Sequence, residues 1–506
     1  MNRLAPRPLI SLFTILVLAS PGASSARPND PTCTECSPGE KTPYETDGSS
    51  EEPPRYRLPH IQYAAQTSVT IVWKTKDGAD ICEFFHAVER APLPSRPSAT
   101  VQRTGRQTIG VDIVGSAGRR LRKSNAEHGF EVTLTGLTPG TWYHYRVVRK
   151  NSRGQGAVDL VRDARFKTSE PRTQTSFSTV FVSDIFSAYS PDCNELRKIT
   201  DPNCSYHIHR HLRDRIFETK RARRTVHGEA RTGFDFIVSP GDVSNEKGKA
   251  WEYAEHLFGT YNGNGWRGGG KDILKGVPFF PVPGNHDHEH GDKLSHGGRY
   301  YRDAFRPLLQ KNGTGKTYYS FDYANAHFIG LDIAGVGAVS ATAKMANGSE
   351  SYAIASLDDV DANDSPQVKW LKDDLKRVRG QTNIWKIAFF HFPLRDGGVH
   401  KETAKRLALL LEREGVDLIV VGHWERLGRE STAAVSGTQA GIPTLVLGSG
   451  GARSDRKHFK HVNFTLADIK GDDLRLVVVD SQGASIAEGT LKRGSRNLQW
   501  SRWPAP

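Results

Sequence analysis

Two patterns of hydrophobic and polar residues divide the chain. Between residues 55 and 170, short segments alternate apolar and polar positions, as in Thr67–Thr75, where Val69, Ile71 and Trp73 share one face. Alternation with a period of two is typical of half-buried strands, so this region is predicted to form an all-β sandwich. Further along the chain, short apolar runs alternate with helical patterns, which predicts a layered α/β architecture.

A turn at Leu137–Thr141 is predicted to connect two strands of the first region, because Pro139-Gly140 interrupts the alternation. The aromatic residues that follow it are expected to fill the sandwich core; they are Trp142, Tyr143 and Tyr145. We identify no residue pattern here that implies chemistry. The region is therefore interpreted as an accessory module.

The second region, residues 176–495, contains the predicted helices. Ser365-Pro366 combines a capping residue with a proline in the first turn, which is a common start of a helix. A second helical pattern covers Lys401–Glu414, and Leu474–Leu491 is predicted to be a closing hairpin around Gln482-Gly483. The apolar stripe of the first helix is expected in the core; it consists of Val368, Leu371, Leu375 and Val378.

The first 54 residues differ from both regions. Residues 1–26 combine Arg3 and Arg7 with the apolar stretch Leu9–Leu18, which predicts a secretory signal; an uncleaved anchor is the alternative. Residues 27–54 are rich in Pro, Glu, Ser and Gly and are predicted to be a disordered linker. No later stretch is predicted to span a bilayer, so a secreted or periplasmic protein is expected.

Five apolar runs of the second region end in polar side chains. In Val277–Asp292 the run breaks at Pro283-Gly284 and is followed by Asn285, His286 and Asp287. A strand that ends in a glycine turn places its next side chains at the edge of a sheet, where α/β proteins bind ligands. The residues that end the five runs are Asp184, Asp242, Asn285, His391 and His423.

Metal coordination is the simplest explanation for these five residues. Unpaired polar groups in a stability core would cost several kcal/mol, roughly 2–7 each. Asn supplies a carbonyl oxygen and His an imidazole nitrogen, so the Asn285 turn can hold a metal ion and a proton donor side by side.

The order Asp, Gly-Asp, Gly-Asn-His, His and Gly-His along these runs resembles the calcineurin-like metallophosphoesterase superfamily. Tyr318–Asp322, His327-Phe328 and Leu331-Asp332 are similar to its purple acid phosphatase branch. Many members of that branch carry a fibronectin-III-like domain before the catalytic domain. The resemblance implies a fibronectin-III-like β-sandwich at 55–170, followed at 176–495 by a layered α/β metallophosphoesterase domain, a β-sandwich flanked by helices.

The resemblance also implies two neighbouring metal ions bridged by Asp242. One ion would bind Asp242, Asn285, His391 and His423, and Zn, Fe or Mn suits this histidine-bearing set. The expected catalytic residues are Asp242 and His286. His286 would protonate the leaving group or stabilise the developing oxyanion.

The other metal position departs from the family pattern. Asp184 is present, but Asn245 replaces a tyrosine and Glu425 replaces the second histidine of the last motif. The wider superfamily would supply a histidine two residues after the first Asp, and Phe186 occupies that position. Either Asp184, Asn245 and Glu425 bind a hard ion such as Mn, Mg or Ca, or the site holds one ion only. Without the tyrosine, no tyrosinate-to-iron charge transfer is expected.

The formal net charge of +13 favours anionic substrates, although solubility explains the same charge. Arg395 and His288 are the expected substrate-binding residues, because each closely follows a proposed metal-site residue. No nucleic-acid motif is present, so no nucleic-acid partner is inferred, and the oligomeric state is not indicated.

Five cysteines follow the predicted signal. Cys193 and Cys204 are candidates for a disulfide in an oxidising compartment. Cys33 and Cys36 are expected to form a small disulfide or to remain a free pair, and Cys82 is expected to be a buried thiol.

These features predict a secreted metallophosphoesterase that hydrolyses small phosphate monoesters through metal-activated water, with diesters as an alternative substrate class. A degenerate member that binds a ligand or a surface partner without turnover is the competing hypothesis. The altered metal position and the N-terminal sandwich favour that hypothesis, whereas His286, His391 and His423 favour an enzyme.

Overall fold

A computed structural model describes most of the chain after residue 56. The described residues are 57–75, 81–98, 102–114, 120–151, 153, 155–185, 205–244, 248, 252–263, 271–288, 298–311, 316–333, 343–344, 350–351, 366–395, 399, 401–451 and 462–504. The predicted signal and linker lie outside them, as do Phe186, Asn245 and four of the cysteines. No helix in the described part of the chain is long and apolar enough to cross a membrane.

The alternating region forms two facing sheets, as predicted. The strand order is β1-β2-β5-β4 in one sheet and β3-β6-β7 in the other. The strands are β1 Arg57–Ala64, β2 Ser68–Thr75, β3 Ile81–Val88, β4 Gln102–Val114, β5 Arg120–Thr135, β6 Trp142–Lys150 and β7 Val158–Lys167. The Leu137–Thr141 turn leads from β5 to β6, so it crosses between the sheets.

The sandwich core follows the alternation of β2. Val69, Ile71 and Trp73 are almost completely buried, and the Trp73 ring stacks on Phe130 with centroids 5.6 Å apart. Cys82 lies buried in the same core and accepts a hydrogen bond from Trp73 Nε1 at 3.4 Å. The prediction of a buried Cys82 is therefore confirmed.

The prediction that Trp142 lies in this core is wrong. Tyr143 and Tyr145 are buried, whereas Trp142 is 42% exposed and lies beneath the Arg165 guanidinium at 5.6 Å. Successive side chains of a strand point to opposite faces, so a residue next to an inward-facing Tyr143 must face outward.

Two larger sheets make up the second region. The first has the order β12-β11-β8-β21-β22-β23-β24, and the second has the order β13-β14-β17-β18-β20-β19. The strands of the first sheet are β8 Ser176–Phe181, β11 Phe236–Ser239, β12 Phe279–Pro281, β21 Asn463–Lys470, β22 Asp473–Asp480, β23 Ser485–Lys492 and β24 Gln499–Arg502. Those of the second are β13 Tyr319–Tyr323, β14 Ala326–Gly330, β17 Trp385–Phe389, β18 Leu418–Val421, β19 Gly428–Ser431 and β20 Pro443–Val446.

Short strand pairs and helices complete the second region. The pairs are β9 Arg223–Val226 with β10 Glu229–Thr232, and β15 Ala343–Lys344 with β16 Glu350–Ser351. The helices are α1 Ser205–Arg221, α2 Arg299–Ala304, α3 Arg306–Lys311, α4 Pro366–Val378, α5 Lys401–Arg413 and α6 Ala433–Ser436, with a π-helix at Tyr253–Gly259 and a 3₁₀ turn at His286–His288. The predicted hairpin is formed by β22 and β23, and β24 extends the sheet beyond residue 495.

Aromatic side chains pack the two sheets against each other. Phe280 of β12 stacks on Phe321 of β13 with centroids 3.8 Å apart, and Phe236 of β11 meets Phe328 of β14 edge to face at 5.3 Å. Leu212 of α1 contributes to the same core. The second region is therefore a β-sandwich flanked by helices, as the resemblance implied.

Helices α4 and α5 cover the outer face of the second sheet. The predicted stripe of α4 is fully buried there, and each such apolar side chain contributes about 1.5–3 kcal/mol relative to an exposed one. Its members are Val368, Leu371, Leu375 and Val378. Helix α4 also contacts two buried His–Asp pairs. Its Gln367 binds Asp332 of the His288–Asp332 pair, and its Asp374 is the partner of His327.

The N-terminal sandwich is hydrogen-bonded to the second region along β1. Ile61 N donates to Leu274 O at 3.0 Å, and Asn262 Nδ2 donates to Leu58 O at 2.8 Å. Lys74 and Asp303 add a largely buried ion pair at 2.9 Å. These contacts join the two regions within one compact unit.

Candidate metal centre

The five predicted strand ends meet at one place. Strands β8, β11 and β12 are parallel neighbours in the first sheet, and β17 and β18 are parallel neighbours in the second. The carboxyl ends of parallel strands share one edge of a sheet, and the two edges face each other here. The side chains that follow these strands are Asp184, Asp242, Asn285, His391 and His423.

His391 Nε2 lies at the middle of this group. It is 3.1 Å from Asp242 Oδ2 and 2.9 Å from Asn285 Oδ1. Asp184, Asp242 and His391 are buried and offer ligand atoms that all lie within 4.8 Å of one another. A divalent cation has oxygen and nitrogen donors of the right type at this point.

His423 closes the group from the second sheet. Its ring centroid is 5.2 Å from that of His391, and its backbone N–H donates to Asp184 Oδ2 at 3.2 Å. Phe392 holds the His423 ring edge to face at 4.4 Å. The imidazoles of both strand ends are therefore positioned by packing as well as by chain direction.

The backbone adopts an unfavourable conformation at this centre. Asp184, Asp242, His423 and Glu425 have positive φ angles of 52°, 51°, 71° and 54°. A non-glycine residue in this region costs on the order of 1–3 kcal/mol, and such residues concentrate at functional sites. The surrounding fold holds these side chains in place at a cost in stability.

Two glycines allow the strand ends to approach closely. A Cβ atom at Gly284 would collide with the Asp242 carboxylate, and one at Gly422 would collide with Ser183 and lie 2.7 Å from Asp184 Oδ2. Neither position has room for a side chain, so the Gly-Asn-His and Gly-His patterns have a steric basis.

The electrostatics of the group require a compensating positive charge. Asp184 Oδ1 is buried with no hydrogen-bond partner among the described residues. Burial, together with repulsion by Asp242 and Glu425, raises the pKa of Asp184 to about 8 even though His391 opposes the shift. Burial disfavours charge on His391, but Asp242 outweighs it and raises the pKa of His391 to about 9. The donor set therefore fits a cation. On binding, the cation would replace protons that the raised pKa values of Asp184 and His391 keep on these side chains.

The altered second position is described in part. Glu425 is half-buried and close enough to Asp184 to repel its charge. Asn245 and Phe186 lie outside the described residues. The turn at 448–451 borders this position, because Gly450 N donates to Ser183 O at 2.8 Å.

His286 stands at the solvent side of the centre. Its backbone N–H donates to Asp242 Oδ1 at 3.0 Å, and its ring Nε2 lies 3.9 Å from Asp242 Oδ2. Its side chain is 31% exposed, against 3% for Asp242. A proton donor that must meet a substrate needs such a position.

The predicted substrate residues lie in different environments. Arg395 is exposed, and its Nε is 3.9 Å from Glu430 Oε1. His288 is only 3% exposed, and its Nε2 is 3.1 Å from Asp332 Oδ1. Burial opposes charge on the His288 ring, but Asp332 outweighs it and raises the pKa of His288. This geometry gives no support to a substrate contact by His288.

Asp287 is a residue whose importance the sequence analysis missed. It accepts hydrogen bonds from Val243 N, Ser244 N and Gly284 N at 3.2, 3.1 and 2.8 Å, and from Tyr253 Oη at 2.7 Å. It therefore ties the Asp242 loop to the Asn285 turn. Its position directly after His286 is the feature of the sequence that could have indicated this role. Asp332 was named in the sequence analysis only as part of the family resemblance and was given no role, although it follows an apolar strand as the five predicted residues do.

Two protein-family models match the chain. Residues 177–425 match the calcineurin-like phosphoesterase family, and residues 57–171 match the purple acid phosphatase N-terminal domain. The matched segments correspond to the two regions described above.

Similar proteins agree with this organisation. Purple acid phosphatase 18 of Arabidopsis thaliana is 25% identical over 224 residues, which are 42% of this chain and 43% of that protein. The chain thus matches less than half of the length of that relative. The purple acid phosphatase PPD1 from yellow lupin (Lupinus luteus) seeds has a TM-score of 0.56 at 16% identity, covering 87% of this chain and 74% of that one. The structure of PhoD has a TM-score of 0.52 at 10% identity, covering 89% and 93%.

The domain matches, the strand-end residues and the two-sheet architecture all point to the same two-domain organisation. Residues 57–171 carry the accessory domain of purple acid phosphatases, and the site lies in the following domain. The chain therefore combines a purple acid phosphatase N-terminal domain at residues 57–171 with a calcineurin-like phosphoesterase domain at residues 177–425.

Proposed function

We propose that this protein is an exported phosphatase that hydrolyses phosphate monoesters. The observation that carries the proposal is the convergence of the five strand-end residues, with Asp242 and Asn285 within 3.1 Å of His391 Nε2 and the His286 ring beside them on the solvent side. Export rests on the signal pattern of residues 1–26. The substrate is accordingly a small phosphate ester outside the cytoplasm.

In this proposal one divalent cation, Zn²⁺, Fe²⁺ or Mn²⁺, is held by Asp242, Asn285, His391 and His423. Bound cations supply Lewis-acid polarisation of the phosphoryl group and a water nucleophile of lowered pKa. The contribution of the chain is a rigid donor set, because Asp242 and His391 are buried and the Asp287 hydrogen bonds fix the loops that carry Asp242 and Asn285.

His286 acts in this proposal as the acid for the leaving group. Its backbone is hydrogen-bonded to Asp242, and its ring lies beside the same carboxylate, with Nε2 3.9 Å from Oδ2. From there Nε2 donates a proton to the ester oxygen as the P–O bond breaks. Such a step matters most when the leaving alkoxide is strongly basic.

Arg395 is the proposed contact for the substrate phosphate. Its side chain is 56% exposed, and its Nε lies 3.9 Å from Oε1 of Glu430, whose side chain is 10% exposed. An exposed guanidinium can bind an incoming phosphate oxygen in a bidentate manner. The formal net charge of +13 adds a general attraction for anions.

The test compares p-nitrophenyl phosphate, glycerol 2-phosphate and bis(p-nitrophenyl) phosphate with purified, metal-reconstituted protein. We expect turnover of both monoesters and slower turnover of the diester. Demonstrable metal binding without turnover of any of the three esters would contradict the proposal and favour a ligand-binding function.

We expect His286→Ala to lower kcat on glycerol 2-phosphate by about 10²–10⁴-fold and to keep its bound metal. The loss on p-nitrophenyl phosphate should be smaller, because p-nitrophenolate leaves without protonation. Metal content by elemental analysis and kcat on both esters check the prediction. The exposed His211 on α1 provides the control variant His211→Ala. A fully active His286→Ala would remove this residue from the mechanism.

Metal titration distinguishes a two-metal site from a one-metal site. Asp184, Asn245 and Glu425 offer only oxygen atoms, which select hard ions and bind them more weakly than imidazole-bearing sets. We expect the histidine-bearing position to fill first, and Mn²⁺ or Mg²⁺ to increase the rate only at higher concentration. Glu425→Ala should lose this second increase, whereas the exposed Glu402→Ala should retain it.

Two results would contradict this account of the altered position. Two tightly held ions including iron, with a visible tyrosinate-to-iron charge-transfer band, would show that a tyrosine binds there and that Asp184, Asn245 and Glu425 are not the ligand set. An unchanged Mn²⁺ response in Glu425→Ala would remove Glu425 from the site and support a single ion.

A further inference from the structure

A buried His288–Asp332 pair lies next to the candidate metal centre, and the proposed reaction does not use it. Asp332 follows β14, which runs parallel to β17 with Gly330 opposite Phe389. Counting two residues further along each strand, Asp332 reaches the same sheet edge as His391. Asp332 is 6% exposed and His288 is 3% exposed. Both residues are therefore enclosed at the edge of the site.

Asp332 is held by two separate segments, which carry Gln367 and Thr317. Its backbone N–H donates to Gln367 Oε1 at 2.8 Å, and its carbonyl oxygen accepts from Gln367 Nε2 at 2.8 Å. Thr317 Oγ1 donates to Asp332 Oδ2. Gln367 itself is buried in the first turn of α4. The carboxylate is thus a fixed point of the second sheet, and Oδ1 remains directed at His288.

The His288 ring is fixed from two sides. Nε2 is 3.1 Å from Asp332 Oδ1, and a Cβ atom at Gly298 would lie 2.9 Å from Nδ1. Gly298 has a φ of 68°, in the region that favours glycine. The ring therefore fits between Asp332 and the backbone of Gly298.

The 3₁₀ turn His286–His288 is consequently hydrogen-bonded to segments of both sheets. Asp287 binds the loop after β11 in the first sheet, whereas His288 binds Asp332 at the end of β14 in the second. His286, the first residue of the turn, is the one whose ring faces Asp242. Rotation of the turn would move that ring, and the hydrogen bonds of Asp287 and His288 oppose the rotation.

We infer that Asp332 is a positioning residue that, through His288, fixes the ring of His286 over the metal centre. This inference rests on the proposed function, in which His286 protonates the leaving group. A buried ionic pair is often no more stabilising than an apolar pair of the same volume, so stability alone does not explain its presence here. Hydrogen-bond partners of metal ligands typically change metal affinity or activity by about 10–100-fold, and we expect an effect of this size for Asp332, which acts on the turn that carries His286.

The test is a comparison of leaving groups. We expect Asp332→Ala to lower kcat on glycerol 2-phosphate by about 10–100-fold, with KM and metal content close to wild type. The rate on p-nitrophenyl phosphate should change much less, because its leaving group does not need the acid. Asp332→Asn, which keeps an oxygen acceptor for His288, should restore most of the lost rate.

The double variant His286→Ala/Asp332→Ala should be no slower than His286→Ala alone, because both changes remove the same step. The control is Asp374→Ala, which breaks another buried His–Asp pair, with His327. That pair lies near the opposite end of β14. It should lower stability and leave the ratio of the two rates unchanged.

Equal losses on both esters in Asp332→Ala, or multiplied losses in the double variant, would overturn the inference. A crystal structure of Asp332→Ala provides an independent reading, since the His286 ring should leave its position 3.9 Å from Asp242 Oδ2. An unmoved ring would also overturn it. An inactive wild-type protein would instead contradict the proposed function, and the ring position would still decide the role of Asp332.

Discussion

Asp242→Asn is expected to abolish the activity of this protein. The substitution keeps the size of the side chain but removes the negative charge that faces His391 Nε2 at 3.1 Å and that would bind the cation. We expect kcat/KM to fall on both monoesters by roughly a thousandfold or more, which is about 4 kcal/mol of transition-state stabilisation. Elemental analysis should show at least one cation fewer per chain.

The matched control for this change is Asp163→Asn, an aspartate in the N-terminal sandwich whose side chain is 63% exposed. It should retain full activity and metal content. Thermal unfolding of both variants separates loss of metal from loss of fold. An unchanged metal content together with an activity within tenfold of wild type in Asp242→Asn would contradict the assignment of Asp242 as a metal ligand.

The His327 cluster is expected to give the second large effect, on stability instead of catalysis. The His327 side chain is fully buried, with Nδ1 2.7 Å from Asp322 Oδ1 and Nε2 2.8 Å from Asp374 Oδ2. Two nitrogens facing carboxylates at these distances must both carry a proton, so the ring is an imidazolium. Burial opposes this charge, but the hydrogen bonds from the ring to Asp322 and Asp374 outweigh it and raise the pKa of His327.

The carboxylates shift in the opposite direction. Burial would raise the pKa of Asp322, but His327 and Arg172 lower it from 3.8 to about 2, and the pKa of Asp374 is lowered as well. The stabilisation by His327 is complete below its ordinary pKa of 6.5 and is lost as pH rises through the raised value. The stabilisation by the carboxylates is complete above 3.8 and is lost as pH falls towards 2. The cluster therefore stabilises the fold most between about pH 4 and 6.5.

We expect Asp374→Ala to lower the free energy of unfolding by about 3 kcal/mol in this window, because it leaves a buried charge without one of its partners. The difference from wild type should shrink at alkaline pH, where His327 loses its proton. Urea unfolding at several pH values measures both effects. The exposed neighbour Asp373 on the same helix supplies the control Asp373→Ala. A difference that grows as pH rises would contradict the proposed charge state.

Much of the site was predictable because its signals are local. Each of the five strands is a short apolar run buried on both faces, and each ends in a glycine, proline or polar residue at the sheet edge. The position of Asp242 or His391 relative to its own strand depends only on nearby residues. The same holds for α4, whose cap and apolar stripe lie within one short segment.

The sequence was less informative where a residue's environment depends on which face of a strand it occupies or on which distant residue it contacts. Trp142 was assigned to the core with Tyr143, although neighbouring residues of a strand cannot share a face. The predicted substrate contact of His288 stays a prediction, but its burial against Asp332 at the end of β14 was not foreseen. Its partner Asp332 is 44 residues away in the chain, so no local pattern connects them.

The sequence by itself therefore determined the element types, the donor residues at the strand ends and the departure of Glu425 from the family pattern. Only the tertiary structure decided which strand ends face each other, how the β5–β6 turn crosses between sheets, and which carboxylate holds each buried histidine. The physical reason is the separation along the chain of the residues that interact. Strand formation and chain direction follow from contacts a few residues apart, whereas sheet order and side-chain pairing follow from packing between segments that are far apart in the chain.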